Sequence, residues 1–267
     1  MIPHMNEYID IGVNLTGSSF KDDRDDVIQR ALNAGVTQMI VTGTDISHSQ
    51  AALELTRQYP GILFSTAGVH PHHAGEFDDS MISMLRDLCA DESVVAVGEC
   101  GLDYNRNYSK PDEQRLAFEA QLKLACELKM PVFLHQRDAH EDFVSMVGEC
   151  RKELAGAVAH CFTGSVDEVL EYIGMELYIG VTGWVCDERR GGDLQQAVKD
   201  IPLNRIMLET DAPYLLPRNL GRKPAQKGRN EPCFIPHICA VTAKYMGVEH
   251  QRLAQSSLQN TRRFFSI

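Results

Sequence analysis

Apolar, β-branched runs return along this chain at a nearly regular interval, and their number constrains the fold more than any other feature. Eight can be marked: Tyr8–Val13, Gln38–Thr42, Leu63–Val69, Val94–Gly98, Val132–His135, Ala157–His160, Leu177–Gly180 and Ile206–Glu209. Short apolar runs bounded by turn residues suit strands buried on both faces, the kind that build parallel sheets. Helical patterns fill the gaps. The segment 22–34 begins acidic and is followed by Gly35, as the helix dipole and C-cap favour. The segment 47–59 starts at a candidate cap, Ser47, and stops at Pro60. The longest, 109–129, has Pro111 in its first turn and Pro131 past its end, with Phe118, Leu122 and Ala125 on one face. Further helices are expected over 80–90, 140–149, 165–173 and 193–201, and one or two closing helices over 236–265.

Strand and helix thus alternate about eight times, which predicts an α/β protein of the TIM (β/α)8 barrel type. An open doubly wound sheet is the main rival, but no G-x-G-x-x-G follows the first strand. With no linker, repeat or low-complexity tract, the 267 residues read as a single domain, with residues 1–7 either an extension of it or a non-native remnant.

Composition narrows the function. A hydrophobic content of 43% is enough for a substantial core. The net charge of −11 opposes a cationic surface that coats DNA, though not an enzyme that holds nucleic acid locally. No apolar run approaches the roughly 18 residues of a membrane span, so no membrane partner is expected. The start shows no basic region followed by an apolar stretch, and the eight scattered cysteines include no C-x-x-C. Together these predict a cytoplasmic protein with reduced thiols.

In a barrel of this kind the chemistry sits at the C-terminal ends of the strands. Those ends are unusually polar here. The third run leads to His70, with His72 and His73 beyond; the fourth to Glu99 and Asp103; the fifth to His135, Arg137 and Asp138; the sixth to His160; the eighth to Glu209 and Asp211. Taken singly, such residues are often caps or structural partners. Projected into one mouth, histidines and carboxylates form the donor set of a divalent cation. Facing carboxylates without a cation would repel one another and take up protons. Asp103 reads equally as an orienting group or as a turn residue, and Arg137 with Asp138 as a supporting ion pair. Trp184, the only tryptophan, follows the seventh run and is either core packing or a face on which a base stacks. After the eighth run, P-R-N-L-G-R-K-P-A-Q-K-G-R-N carries Arg218, Arg222, Lys223, Lys227 and Arg229 with no acidic residue, which suits phosphate capture in an otherwise acidic chain. Cys100 and Cys161 lie beside carboxylates and are poor nucleophiles there. No G-x-S-x-G elbow supports a serine hydrolase.

The motifs D-I-G-V-N-L, G-V-H-P-H, G-E-C-G-L-D-Y, H-Q-R-D-A-H-E, A-H-C-F-T-G, I-G-V-T-G-W-V-C-D-E-R-R and L-E-T-D-A-P-Y-L-L-P-R resemble, in order and over nearly the whole chain, the TatD family of metal-dependent deoxyribonucleases. The resemblance implies a barrel of the amidohydrolase type and a magnesium-dependent 3′–5′ exonuclease on single-stranded DNA and RNA with a role in DNA repair. It implies Glu99, His135, His160 and Asp211 as metal ligands, with Glu99 able to bridge two ions and Asp211 also the catalytic base. His70 would lie near the scissile phosphate, and Asp103, Arg137, Trp184, Arg218 and Arg222 complete the expected substrate contacts. A mixed histidine and carboxylate set also accepts Mn2+ or Zn2+. One departure stands out. Many relatives carry H-x-H on the first strand, where this chain has Gly12 and Asn14. An amide is a weak ligand and glycine offers none, so one firm and one weak metal position are expected. The chain is expected to act as a monomer. Two other readings share the barrel: an amidohydrolase for a small molecule, and a scaffold without catalysis.

Overall fold

The computed structural model describes residues 6–221 and 223–267. Eight strands form one sheet in chain order: β1 (Tyr8–Val13), β2 (Val36–Val41), β3 (Leu63–Ala67), β4 (Val94–Asp103), β5 (Val132–Arg137), β6 (Ala157–Ala159), β7 (Tyr178–Val181) and β8 (Ile206–Leu208). That order, with helices between the strands, is the (β/α)8 arrangement. The helices are α1 (Arg24–Asn33), α2 (Ile46–Gln58), α3 (Asp79–Leu88), α4 (Pro111–Leu128), α5 (His140–Cys150), α6 (Val166–Gly174), α7 (Gly192–Ala197), α8 (Ile235–Met246) and α9 (His250–Phe265). None of the described helices is long and apolar enough to cross a membrane.

The chain divides into two compact units. One comprises residues 41–160 with 174–178. Its strands pair in parallel: Thr66 with Ala96, Val97 with Val132, and Val132 with Ala157. All ten residues of β4 are buried, as expected of a strand covered on both faces. The sequence pattern ends this strand at Gly98, but it runs five residues further, to Asp103. The extension contains a bulge: Gly98 pairs with Phe133 and Cys100 with Leu134, leaving Glu99 as the extra residue. Gly98 and Gly101 flank it at φ 137° and 144°. A Cβ at Gly98 would collide with the Phe133 carbonyl, and one at Gly101 with the His135 carbonyl. Only glycine fits both positions. Helix α2 is capped by Asp45, which accepts from the His48 amide at 2.8 Å, not by Ser47 as the pattern predicts.

The other unit comprises the residues up to Ile40, 161–173 and 179–267. Here Gly180 of β7 pairs with Met207 of β8. The segment after β8 returns to β1: the Asp211 amide donates to the Gly12 carbonyl at 2.9 Å and the Asn14 amide to the Ala212 carbonyl at 2.8 Å. Asp10, the polar residue inside β1, is fully buried. Its carboxyl accepts from the Gly12 amide at 3.3 Å, the Thr210 amide at 2.9 Å and the Thr210 hydroxyl. It therefore ties β1 to the segment that carries Asp211. The closing helices are two, separated by Gly247 in the left-handed region at φ 68°. Asn260 of α9 donates to the carbonyls of Leu203 and Ile206 at 2.8 Å each, fixing that helix to the base of β8.

Candidate metal centre

Three imidazoles converge on one oxygen of Glu99. His160 Nε2 lies 2.7 Å from Oε1, His135 Nδ1 3.0 Å and His70 Nε2 3.2 Å. The bulge in β4 turns Glu99 to this position, β5 supplies His135, and His160 and His70 follow β6 and β3. Glu99, His70 and His160 are buried, and His135 is partly so. Ligand atoms of His70, Glu99 and His135 all lie within 4.8 Å of one another.

Two long-range clamps hold this geometry. The amide group of Gln121 on α4 accepts from the Val69 amide at 2.7 Å and donates to the Val69 carbonyl at 3.0 Å, immediately before His70. Seven residues earlier, Gln114 accepts from the Asp103 amide at 2.8 Å and donates to its carbonyl at 3.1 Å. Neither glutamine is among the residues expected from the sequence. Their signal was present as two polar residues on the same helical face as Phe118, Leu122 and Ala125.

The donor set fits a divalent cation. Nitrogen and oxygen ligands about 2.1 Å from one ion lie roughly 3 Å apart, which matches these separations. Burial works against a charge on Glu99, but the imidazoles around it, His160 foremost, hold it well below the usual carboxylate range. Burial likewise opposes a charge on His135, while the neighbouring carboxylates of Asp103 and Glu99 raise its pKa. The site therefore calls for positive charge beside Glu99. His135 Nε2 is buried without a hydrogen-bond partner and lies 3.6 Å from Asp103 Oδ2. An orphaned imidazole nitrogen beside a carboxylate presents a lone pair in need of a cation or a proton.

His70 differs from the others. Its Nδ1 accepts from the His72 amide at 3.1 Å. Burial pushes its pKa down to about 4, against the pull of Glu99, so the ring is neutral at physiological pH. A neutral ring that accepts at Nδ1 carries its proton on Nε2. That nitrogen is then a hydrogen-bond donor, suited to a phosphate oxygen, and offers no lone pair to a metal.

Asp103 shows the turn contacts that were one of its two readings, and its second oxygen faces two histidines. Its Oδ1 accepts from the amides of Asn105 at 3.0 Å and Arg106 at 2.8 Å, which is turn chemistry. Its Oδ2 faces His72 Nε2 at 2.6 Å and His135. Burial would raise its pKa, but the His135 and His72 imidazoles beside it lead the effects that hold it far below normal. Arg137 makes the expected ion pair with Asp138, at 3.8 Å.

Asp211, Trp184 and Arg218 belong to the other unit. Asp211 is partly buried, has φ 54° and accepts at Oδ1 from Asn14 Nδ2 at 3.1 Å. Trp184 lies beneath the Arg190 guanidinium, 4.5 Å from its ring centre. Arg218 Nε contacts Asp187 Oδ2 at 2.8 Å. Arg222 lies outside the described residues. One member of the basic loop departs from expectation. Arg229 is buried, donating to Asp23 at 2.7 Å and Glu231 at 2.9 Å, while Arg30 also pairs with both acids. It is a structural ion-pair residue and is not placed for phosphate capture.

Comparison with known proteins adds a lineage. The family model described as TatD related DNase matches residues 9–266. The 3′-5′ ssDNA/RNA exonuclease TatD of Yersinia pseudotuberculosis is 52% identical over 97% of this chain and 99% of that protein. The crystal structure of a TatD homolog from Escherichia coli is 28% identical, with a TM-score of 0.88 over 97% of this chain and 98% of that one. A phosphotriesterase homology protein from Escherichia coli, at 13% identity and a TM-score of 0.62 over 94% of this chain and 98% of that one, shares the fold alone.

Proposed function

The chain belongs to the TatD related DNase family, and from that premise we propose that it is a metal-dependent exonuclease that shortens single-stranded DNA and RNA from the 3′ end. The carrying observation is the convergence of the His160, His135 and His70 imidazoles on one oxygen of Glu99, beside an orphaned His135 nitrogen. Glu99, His135 and His160 would hold the ion, and the motif L-E-T-D-A-P-Y adds Asp211 to the set. A bound divalent ion supplies a low-pKa water and offsets phosphate charge. Magnesium is the ion proposed, with one firm position and one that fills weakly.

The chain's own groups account for the rest of the chemistry. Hydrolysis of a phosphodiester needs a proton taken from the attacking water and negative charge met on the phosphoryl oxygens. Asp211 is the proposed base, its carboxylate oriented by Asn14. His70, neutral and protonated on Nε2, would donate to a phosphoryl oxygen. Asp103 would act indirectly, by fixing His72 and His135. Arg137, Trp184, Arg218 and Arg222 are assigned to the bound strand. The protein is proposed to work as a cytoplasmic monomer, in DNA repair.

The test is incubation of 3′-labelled and 5′-labelled single strands with the protein and Mg2+, with EDTA, and with Glu99→Ala. Shortening from the 3′ end by the unsubstituted protein, abolished in the other two, is the expected result. If all three behave alike while Glu99→Ala remains folded, the reading is wrong.

A further inference from the structure

The segments after β7 and β8 enclose a cavity of about 540 Å3 whose lining includes Gly183, Trp184, Asp187, Arg190, Arg218 and Lys223. Gly183 lets the two segments approach closely: a Cβ there would collide with the Leu215 carbonyl. Both segments follow C-terminal strand ends, the ends on which this fold carries its chemistry.

The charge of the cavity is organised around a single acid. Asp187 is buried, and two guanidinium groups share its Oδ2: Arg218 Nε at 2.8 Å and Arg190 Nε at 3.0 Å. Arg189 Nε approaches Oδ1 at 3.6 Å. Burial disfavours the charge on Asp187, yet the Arg189 amide and these guanidinium groups hold its pKa down to about 2. One negative charge thus fixes Arg190 and Arg218 in the cavity lining and Arg189 beside it, and Lys223 adds a further cation at the cavity wall. The surplus is cationic in a chain whose net charge is −11. All three arginines engage Asp187 through Nε, and their side chains remain 53% to 67% exposed. Trp184 carries the Arg190 guanidinium over one face of its ring. That cation–π contact competes for the face on which a base would stack.

We propose that this cavity seats successive backbone phosphates of a single strand, and that Trp184 serves as a positioning residue for Arg190, not as a base platform. Guanidinium groups pinned at Nε keep their fork aligned for phosphate oxygens and lose little freedom on binding. The identity of the strand rests on the nuclease reading above; the anion chemistry of the cavity stands on its own contacts.

Fluorescence anisotropy tests it, with full-length protein carrying Glu99→Gln so that the probe is not consumed. The probes are a labelled strand of about twelve nucleotides, within the span that such grooves occupy, the same strand made abasic, and the same strand with methylphosphonate links. Arg190→Ala and Trp184→Leu should each weaken ordinary and abasic strands alike, by about tenfold, and leave the uncharged strand unaffected. Arg190→Ala should also lower the slope of log affinity against log salt by about 0.7. Trp184→Phe, which preserves an aromatic face for Arg190, should retain most of the affinity. Loss of affinity in Trp184→Leu for the base-bearing strand alone would make Trp184 a base platform and overturn its assigned role. Unchanged affinity and slope in every variant would overturn the phosphate site. Failure of the unsubstituted chain to shorten any strand counts against the nuclease reading and leaves this binding result to be judged separately.

Discussion

Asn14 donates its side-chain amide to the carboxylate of Asp211 at 3.1 Å and to the neighbouring Ala212 carbonyl at 3.3 Å. Asn14, at the position where the family resemblance leads one to expect a metal-binding histidine, is thus a hydrogen-bond donor to a proposed ligand. An amide N–H occupies a lone pair on Asp211 that a second cation would otherwise use. Calorimetric titration with Mn2+ should show one tight event. A second should be weaker by at least about tenfold, and should tighten when a nucleoside monophosphate is present. Two tight events without nucleotide would contradict this.

Removing either glutamine clamp should cost stability and activity together. Gln121→Leu strands the Val69 amide, and Gln114→Leu strands the Asp103 amide, each in a buried setting. An unsatisfied buried donor costs about 1–3 kcal/mol. The urea midpoint should fall accordingly, and the rate should fall further because His70 and His135 lose their alignment. A variant with an unchanged midpoint and an unchanged rate would show that the clamp is dispensable.

Arg229→Met should destabilise the protein by roughly 3 kcal/mol, because Glu231 is left with less compensation in a buried position. The pH dependence follows from Asp23, whose hydrogen bonds to Arg229 hold its pKa at about 2 despite partial burial. A depressed carboxyl contributes fully above its unfolded pKa and loses that contribution as pH falls through the folded one. The penalty for Arg229→Met should therefore be constant near neutrality and shrink below about pH 4. Thermal melts of both proteins across that range provide the check.

Asp10 should act in the opposite sense. Burial raises its pKa to about 8, with the Thr210 and Gly12 hydrogen bonds only partly offsetting it. A carboxyl raised in the folded state holds its proton longer than it does in the unfolded chain. Its contribution to stability is then greatest near pH 4 and declines as pH rises toward 8. Stability of metal-free protein should fall over that interval, and Asp10→Asn should flatten the dependence. A parallel decline in both proteins would assign the effect elsewhere.

Much of the framework could be read from the chain because burial on both faces demands continuous apolar runs, and there are eight of them. The strand ends were legible for the same reason: His70, Glu99, His135 and His160 interrupt apolar patterning where a barrel needs none. What stayed hidden depends on through-space partners. The ten-residue reach of β4 requires Gly98 and Gly101 at positive φ, which a run of apolar letters does not reveal. Arg229 sits among basic loop residues in the sequence, and only Asp23 and Glu231 distinguish it. Gln114 and Gln121 share the apolar face of α4, but the backbone groups of Val69 and Asp103 that they clamp are distant in the sequence.

The bulge in β4 carries a further consequence. A strand assigns each side chain a direction by counting in twos, so shifting one residue ordinarily reverses all those after it. Here the count slips once, at Glu99, and resumes at Cys100 opposite Leu134. The pivotal carboxylate thereby stands outside the strand's arithmetic. Deleting that one residue would leave a β4 that pairs more regularly with β5 and has lost the carboxylate proposed to hold the metal. Sheet regularity and the proposed metal centre are in opposition at this position, and a search for more stable variants that rewarded regular pairing would select against that centre.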